Sequence, residues 1–327
     1  MNRVLRVVKF NWSMGKMNKT QKTVVLLLLA VLTIMLPIIT NNYWVDVSTM
    51  AMFYVILALG LNIVVGFTGL LDLGYAAFFA VGAYTTGILT TQYHVSFWIS
   101  FILAGVFAAT AGVIIGTPTL RLRSDYLAIV TLGFGEIVRI SATNLQFTGS
   151  ASGIYGIPRP QIGPYTLIYS WQIYYLMLIL AVLVLFVVAR IGNSRIGRAM
   201  KYIREDEDVA EAMGINRVRI KLLAYSLGAL FGGFAGSLFA VYMSAISPES
   251  FDFMQSVMIL LAIVLGGIGR LPGVVLGAVL VIFLPEVMRS FSDWRLLIFG
   301  ILLVVMMIFR PQGLWPTRKD SAETTKE

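Results

Sequence analysis

The sequence predicts an all-α fold, a polytopic transmembrane helical bundle of about ten spans with both termini cytoplasmic, and three observations carry that prediction. Apolar residues make up 58% of the chain and Asp, Glu, Lys and Arg only 13%, against about 25% charged residues in an ordinary soluble domain. The apolar residues gather into long blocks, and a block of about 20 crosses a roughly 30 Å hydrocarbon core as a helix. The basic residues fall unevenly in the short segments between those blocks.

In chain order the blocks are 23–39, 47–66, 70–91, 97–116, 126–143, 171–191, 222–246, 253–268, 274–288 and 295–309. The first follows a basic segment, 1–22. It is longer than the apolar core of a signal peptide and no small-residue cleavage pattern follows it, so it reads as a retained span. Within 1–20 the basic residues alternate with Val4, Leu5, Val7, Val8, Phe10 and Trp12. That pattern suits either a helix in the inner membrane interface or a plain positively charged flank.

Lys and Arg collect on the cytoplasmic side of membrane proteins. With the N-terminus inside and every block crossing, Arg3, Arg6, Lys9, Lys16, Lys19, Lys22, Arg121, Arg123, the cluster from Arg190 to Lys221, Arg270 and the tail from Arg310 are all cytoplasmic. Only Arg139, Arg159, Arg289 and Arg295 fall outside or near the outer face. Deleting the fifth block, which carries Glu136 and Arg139, would push the whole 190–221 cluster outside. The chain thus divides into a basic cytoplasmic segment 1–22, a membrane domain 23–309 and a cytoplasmic tail 310–327. The domain has an outer loop at 144–170, rich in Gly, Pro and Tyr, and a densely charged inner loop at 192–221.

Composition also excludes chemistry. A net charge of +9 that lies in flanks between spans reads as topology, not as a nucleic-acid surface. With no Cys and the single His94, Cys-based metal sites, thiol nucleophiles and two-His motifs are ruled out. No G-x-x-x-x-G-K-[ST] loop occurs, so the chain is not expected to hydrolyse ATP or to hold a cofactor of its own.

Several residues stand out. Gly228, Gly232 and Gly236, and Gly269, Gly273 and Gly277, repeat at a four-residue spacing that lets helix backbones approach closely. Glu136 with Arg139 and Glu286 with Arg289 are three apart and can pair on one helix face; each reads as a structural ion pair or as part of a polar path. Asn62, Gly66, Gly69 and Asp72 mark a region where broken helix ends would present backbone groups to a solute, or a tight inner turn with polar caps. In the inner loop, 200–213 reads as one amphipathic helix with Glu205, Asp206, Glu207 and Asp208 on a charged face. Its apolar set is Val209, Ala210, Ala212 and Met213, beside Glu211, and Gly214 stops it. The outer loop exceeds a minimal connection, so Tyr155 and Arg159 are expected either to help seat a partner or to pack over the bundle mouth.

Glu211, Ala212, Met213 and Gly214, followed by Ile220 and Leu222, resemble the "EAA" loop of ABC importer permeases, with Met213 where Ala is usual. The stretch from Gly60 to Tyr84, the run LRLRSDYLAIVTLGFGEIVRI at 120–140, Gly266 to Ala278 with Pro285 and Glu286, and 295–314 resemble the branched-chain amino acid permease family, LivM type. Ser124 stands where Gly is usual, and Ser150 and Ala151 replace a frequent Gly-Pro.

The resemblance implies a non-catalytic subunit of a heteromeric importer. Its partners would be a LivH-type second permease, two cytoplasmic ATP-binding subunits docked on the loop around Glu205 to Gly214, and an extracytoplasmic substrate-binding protein. Relatives with similar signatures carry urea or other small solutes. Two other classes compete: a stand-alone secondary transporter, which favours unpaired mid-membrane charges and inverted repeats, and an intramembrane enzyme, which needs a nucleophile–base or metal constellation. Neither feature stands out in the sequence.

Overall fold

The computed structural model describes residues 31–119, 124–163, 165–289, 300, 304 and 313–314. Helical turns at 31–39 lead into α1 (Asn42–Leu61), which runs on into a π-helical stretch, Asn62–Phe67. After a turn come α2 (Ala76–Thr91), α3 (Phe97–Thr119) and α4 (Ser124–Asn144). The chain continues through α5 (Ser170–Asn193), two short helices α6 (Arg195–Glu205) and α7 (Glu207–Ala212), and α8 (Arg217–Met243). A hairpin of α9 (Phe253–Gly266) and α10 (Leu271–Val287) follows.

Five of these helices are long and apolar enough to cross a membrane: 42–67, 97–119, 126–144, 170–193 and 217–243. The other apolar helices, α2, α9 and α10, have only 16, 14 and 17 residues, short of the roughly 20 that span a bilayer. Each adjoins a break in the helical chain, at 68–75 or 267–270. Large apolar side chains on α3 and α5, among them Ile102, Ile114, Ile179 and Phe186, are exposed, as a lipid-facing surface requires.

Helix α8 lies at the centre and packs against α1, α2 and α3. Its small residues make that possible. A Cβ added to Gly236 would sit 2.0 Å from the Phe79 carbonyl oxygen, and one added to Gly277 would sit 2.0 Å from that of Ala262. The four-residue glycine spacing therefore marks backbone-to-backbone contact in both packing pairs. Toward one end the core is aromatic, with Phe79 5.1 Å from Phe53 and 4.7 Å from Phe251 between ring centroids; such pairs add about 0.5–1.5 kcal/mol beyond their buried area.

The two ends of the bundle differ. One carries the basic cluster, α6 and α7. The other carries a cap in which β1 (Ile154–Tyr155) pairs antiparallel with β4 (Ala245–Ile246), and β2 (Gln161–Ile162) pairs with β3 (Tyr165–Thr166). The described residues are mostly helical, as expected, and these two-residue strand pairs are the departure from helix. The block expected at 70–91 becomes helical only at Ala76, and the inner-loop helix expected over 200–213 is two helices. The segment 1–22, residues 23–30 of the first block, most of the last block, Arg121, Arg123 and the tail beyond Leu314 lie outside the described residues.

Candidate functional site

The π-helical end of α1 meets the break between α9 and α10. Asn62 is fully buried, and its Oδ1 accepts the Gly269 N–H at 3.0 Å. The approach demands glycine at both partners' neighbours: a Cβ on Gly66 would lie 2.0 Å from Asn62 Oδ1 and 2.9 Å from the Gly269 Cα. Gly69 and Gly269 both take positive φ, +71° and +83°, which a residue with a Cβ resists. The segment after the tenth block also reaches this point, where the Leu314 N–H donates to the Leu265 carbonyl at 2.9 Å.

Asp72 turns the other way, toward α4 and α8. It too is fully buried; its Oδ1 accepts the Gly74 N–H at 2.9 Å, and the Thr131 and Tyr225 hydroxyls face its carboxylate. The N–H groups leading into α2 have no partner within their own helix. Other helices provide them: Leu73 N–H donates to Thr131 Oγ1 at 3.1 Å, and Ala76 N–H to Ser256 Oγ at 2.9 Å. The Tyr75 hydroxyl closes the knot by donating to the Gly228 carbonyl at 2.9 Å. The turn at 68–75 is thus a polar junction of α2, α4, α8 and α9 inside an apolar bundle.

The α6–α7 pair lies beneath this junction. Ser194 caps α6 by accepting from Gly197 N–H, and Met200 and Ile203 bury its inner face. Asp206, extended at φ −158°, ends α6 and caps α7, accepting from the Asp208 and Val209 N–H groups at 2.9 and 3.0 Å. Of the expected apolar set only Ala210 turns inward. Val209 is 55% and Met213 72% exposed, and Ala212, Glu205, Glu211 and Gly214 are exposed as well. Gly214 ends α7 at φ +84°, with the Ile215 N–H returning to the Ala210 carbonyl at 3.0 Å, the closure of a helix at a left-handed residue. Ion pairs brace α7 against α8: buried Lys221 holds Glu207 at 2.5 Å, and Arg217 holds Glu211 at 3.1 Å.

Glu136 stands apart from Asn62 and Asp72. Gly135 faces the Gly74 backbone, so Glu136, about 100° further round α4, points away from the junction. Its carboxylate accepts both Nε and Nη2 of Arg139, the Nε contacts being 3.0 and 3.1 Å, and both side chains are partly exposed on the α4 surface. Glu286 and Arg289 pair at 3.6 Å near the cap end, where Arg289 also donates to the Tyr43 hydroxyl at 2.9 Å. In the cap, Arg159 Nη1 donates to the Ile168 carbonyl and closes the loop on itself. Tyr155 is 68% exposed, and Tyr165 and Tyr169 elsewhere in the cap are exposed as well.

Four residues that complete these arrangements escaped the sequence reading. Thr131, Tyr225 and Ser256 look like ordinary helix residues, and Arg204 looks like one more topological charge. Thr131, Tyr225 and Ser256 share one signal, a polar group on the inward face of an otherwise apolar packing stripe, visible once the helix faces are known; Arg204 carries no such mark.

Apolar helices of full and partial length, broken at a buried polar junction that lies against a charged helix pair, define a multi-pass membrane protein of the transport class. A family model described as "branched-chain amino acid transport system / permease component" matches residues 43–310. The chain belongs to that family. It is 44% identical over 317 residues to the high-affinity branched-chain amino acid transport system permease protein LivM of Salmonella typhimurium and, equally, of Escherichia coli, with 89% of this chain and 74% of each relative covered. It is 24% identical over 287 residues to the corresponding LivH permease protein of Escherichia coli, covering 81% of this chain and 92% of that one. No solved structure matches.

Proposed function

We propose that this chain is the membrane-spanning permease subunit of an ATP-driven importer for branched-chain amino acids in a bacterial cytoplasmic (inner) membrane. Kinship with proteins named as branched-chain amino acid permeases supports the cargo class. Similarity to both LivM and LivH proteins supports a path shared with a second, LivH-type permease. ATP hydrolysis falls to two cytoplasmic ATP-binding subunits, and an extracytoplasmic substrate-binding protein delivers the cargo.

Both termini lie in the cytoplasm and about ten spans cross, because the basic cluster around α6 and α7 belongs inside. The α9–α10 hairpin then enters from the cap side, turns near the inner face at 267–270 and returns. Helix α4 borders the path. An ion pair such as Glu136–Arg139 is costly against hydrocarbon, with roughly 2.5–3.5 kcal/mol for a single charge at the centre of a spanning helix, so that face of α4 meets the second permease and its water-filled path. Asn62, Gly66, Gly69 and Asp72 line the inner junction, and Tyr155 with Arg159 shapes the cap on which the binding protein sits.

The observation that carries this reading is the exposed apolar face of α7. Val209, Ala212 and Met213 project from a helix that capping and ion pairs fix against α8 with this face outward, the form of a helix that a few apolar anchors seat in a partner groove. Ala212 is exposed, so a large charge there spares this chain's own packing and obstructs only a partner. In vesicles carrying the complete transporter, Ala212→Arg is expected to lower ATP-dependent leucine uptake by about tenfold or more, with insertion and pairing with the second permease intact and co-purification of the ATP-binding subunits lost. Normal uptake at normal expression would remove α7 as the docking helix.

A further inference from the structure

Arg204 is the last basic residue of α6, and it reaches both helix breaks at once. Its Nη1 donates to the Gly66 carbonyl at 2.6 Å. The same Nη1 lies 2.7 Å from where a Cβ on Gly269 would be, and its Cγ lies 3.1 Å from the corresponding point on Gly69. The guanidinium is therefore seated on the carbonyl end of the long α1–π helix, where a cation is favoured, with its stem against one positive-φ glycine and its head against the other. Asn62, through the Gly269 N–H, ties the same two breaks together from the opposite side.

One turn earlier, Lys201 lies over the Phe67 ring, 5.6 Å from its centroid, and donates to the Gly192 carbonyl at 3.1 Å. Helix α6 is thus fixed to the π-helical end at two points on one face. A single residue, Asp206, joins it to α7. Arg204 stands two residues before that joint, so a displacement of α7 bears directly on it, and the π-helical geometry at 62–67 leaves the backbone there a readily altered hydrogen-bond register.

We propose that Arg204 is the positioning residue that couples α7 to the membrane-embedded breaks. In the state described here it clamps 66–69 against 267–269, and withdrawal of α6 frees the Gly66 carbonyl. The proposal rests on α7 being the docking helix, and it assigns Arg204 to transmission, not to docking.

The test uses the whole transporter, with second permease, ATP-binding subunits and binding protein, in liposomes. Leucine uptake and ATP hydrolysis are measured on the same preparation for Arg204→Met and Arg204→Lys. Arg204→Met is expected to keep the ATP-binding subunits and hydrolysis within about twofold while lowering leucine moved per ATP by about tenfold. Arg204→Lys, with charge and stem but no planar fork, recovers part of that ratio. Deuterium exchange at 62–70 and 265–270 rises in the Met variant and not within α6. Unchanged leucine per ATP in Arg204→Met overturns the proposal, and so does loss of the ATP-binding subunits in step with uptake, which would make Arg204 a docking residue. If Arg204→Met fails to insert, Arg204→Lys decides: a leucine-per-ATP ratio equal to the native one overturns the proposal and a lowered ratio upholds it. Failure of the docking reading itself shows separately, as Ala212→Arg that keeps the ATP-binding subunits and normal uptake.

Discussion

The connecting regions at the two ends of the bundle are of similar length and are held by different forces. At the basic end, α6 and α7 are fastened by charge: Lys221 to Glu207, Arg217 to Glu211 and Asp208, and Arg204 to a helix-end carbonyl. At the cap end the backbone does the fastening. β1 pairs with β4, the Ile157 N–H donates to the Ser244 carbonyl at 3.1 Å, the Leu167 N–H to that of Pro160 at 3.0 Å, and Trp98 Nε1 to that of Gln161 at 2.9 Å. Charge contacts act over distance, are screened by salt and can be exchanged for a partner's charges. Backbone pairs are directional and leave buried groups unsatisfied when broken. Salt and a partner's charges can therefore loosen the basic end more readily than the cap.

The sharpest way to break that comparison is to strain a glycine in the cap. Gly153 has φ +79° and ψ −162°, a region essentially reserved for glycine and worth about 1–3 kcal/mol of strain to other residues. A Cβ there would also fall 2.0 Å from the Ile246 carbonyl oxygen, in the β1–β4 pair. Gly153→Ala is therefore expected to cost about 2–4 kcal/mol. It should lower the melting temperature in detergent and open 154–157 to protease, while ATP-binding subunits still co-purify. At the other end, Gly214 shares a positive φ, but nothing lies within 4 Å of an added Cβ, so the equivalent change there meets backbone strain alone.

Next in size is Lys221→Met. The Lys221 side chain is 4% exposed and Glu207 40%, so removing the lysine leaves a half-buried carboxylate without its partner, at an expected cost of about 1–3 kcal/mol. Labelling of a cysteine placed at Val209 should change in rate as α7 detaches, and a second change, Glu207→Gln, should recover part of the stability. A Lys221→Met protein as stable as the native one, with unaltered labelling at 209, would show that Asp206, Ala210 and the Arg217 ion pairs hold α7 without Lys221.

Much of this was legible in the sequence, and the gaps have physical causes. The lengths of the apolar runs located the long helices, and Gly214 announced the end of α7, because only a residue without a Cβ takes that φ freely. The break at Asp206 was missed because the residue was counted among four acids on one face. It could have been read as an N-cap, since Asp accepts from the N–H groups two and three residues on. The β1–β4 pair escaped because strands of two residues carry no alternation, and their partners lie far apart in sequence. The π-helical register at 62–67 has no compositional mark. Of the candidate site, Asn62, Gly66 and Gly69 do converge at one place, whereas Asp72 faces α4 and Glu136 lies on a different face of that helix. Proximity in sequence conveyed that these residues were unusual for their surroundings, not which helix each would meet.

The smallest effect is expected at Asp208, and its smallness sharpens the comparison. Asp208 pairs with Arg217 at 3.3 Å with its side chain 92% exposed, and Arg217 also holds Glu211 at 3.1 Å. Exposed pairs contribute between about 0 and 1 kcal/mol and are screened by salt. Asp208→Asn keeps the hydrogen-bonding shape and leaves Arg217 its other partner, so stability should change by no more than about 0.5 kcal/mol. The residual effect should vanish at about 0.5 M salt, where the Debye length is shorter than the spacing between neighbouring charges on α7. The same salt titration should leave protease resistance of the cap untouched, because no ion pair holds β1 to β4. Melting temperatures of the native chain and Asp208→Asn, measured across that titration, check both halves at once. A large loss from Asp208→Asn would place the anchoring of α7 at its exposed rim, and with it the charge that a docking partner must displace; a loss within the expected range places that anchor at buried Lys221.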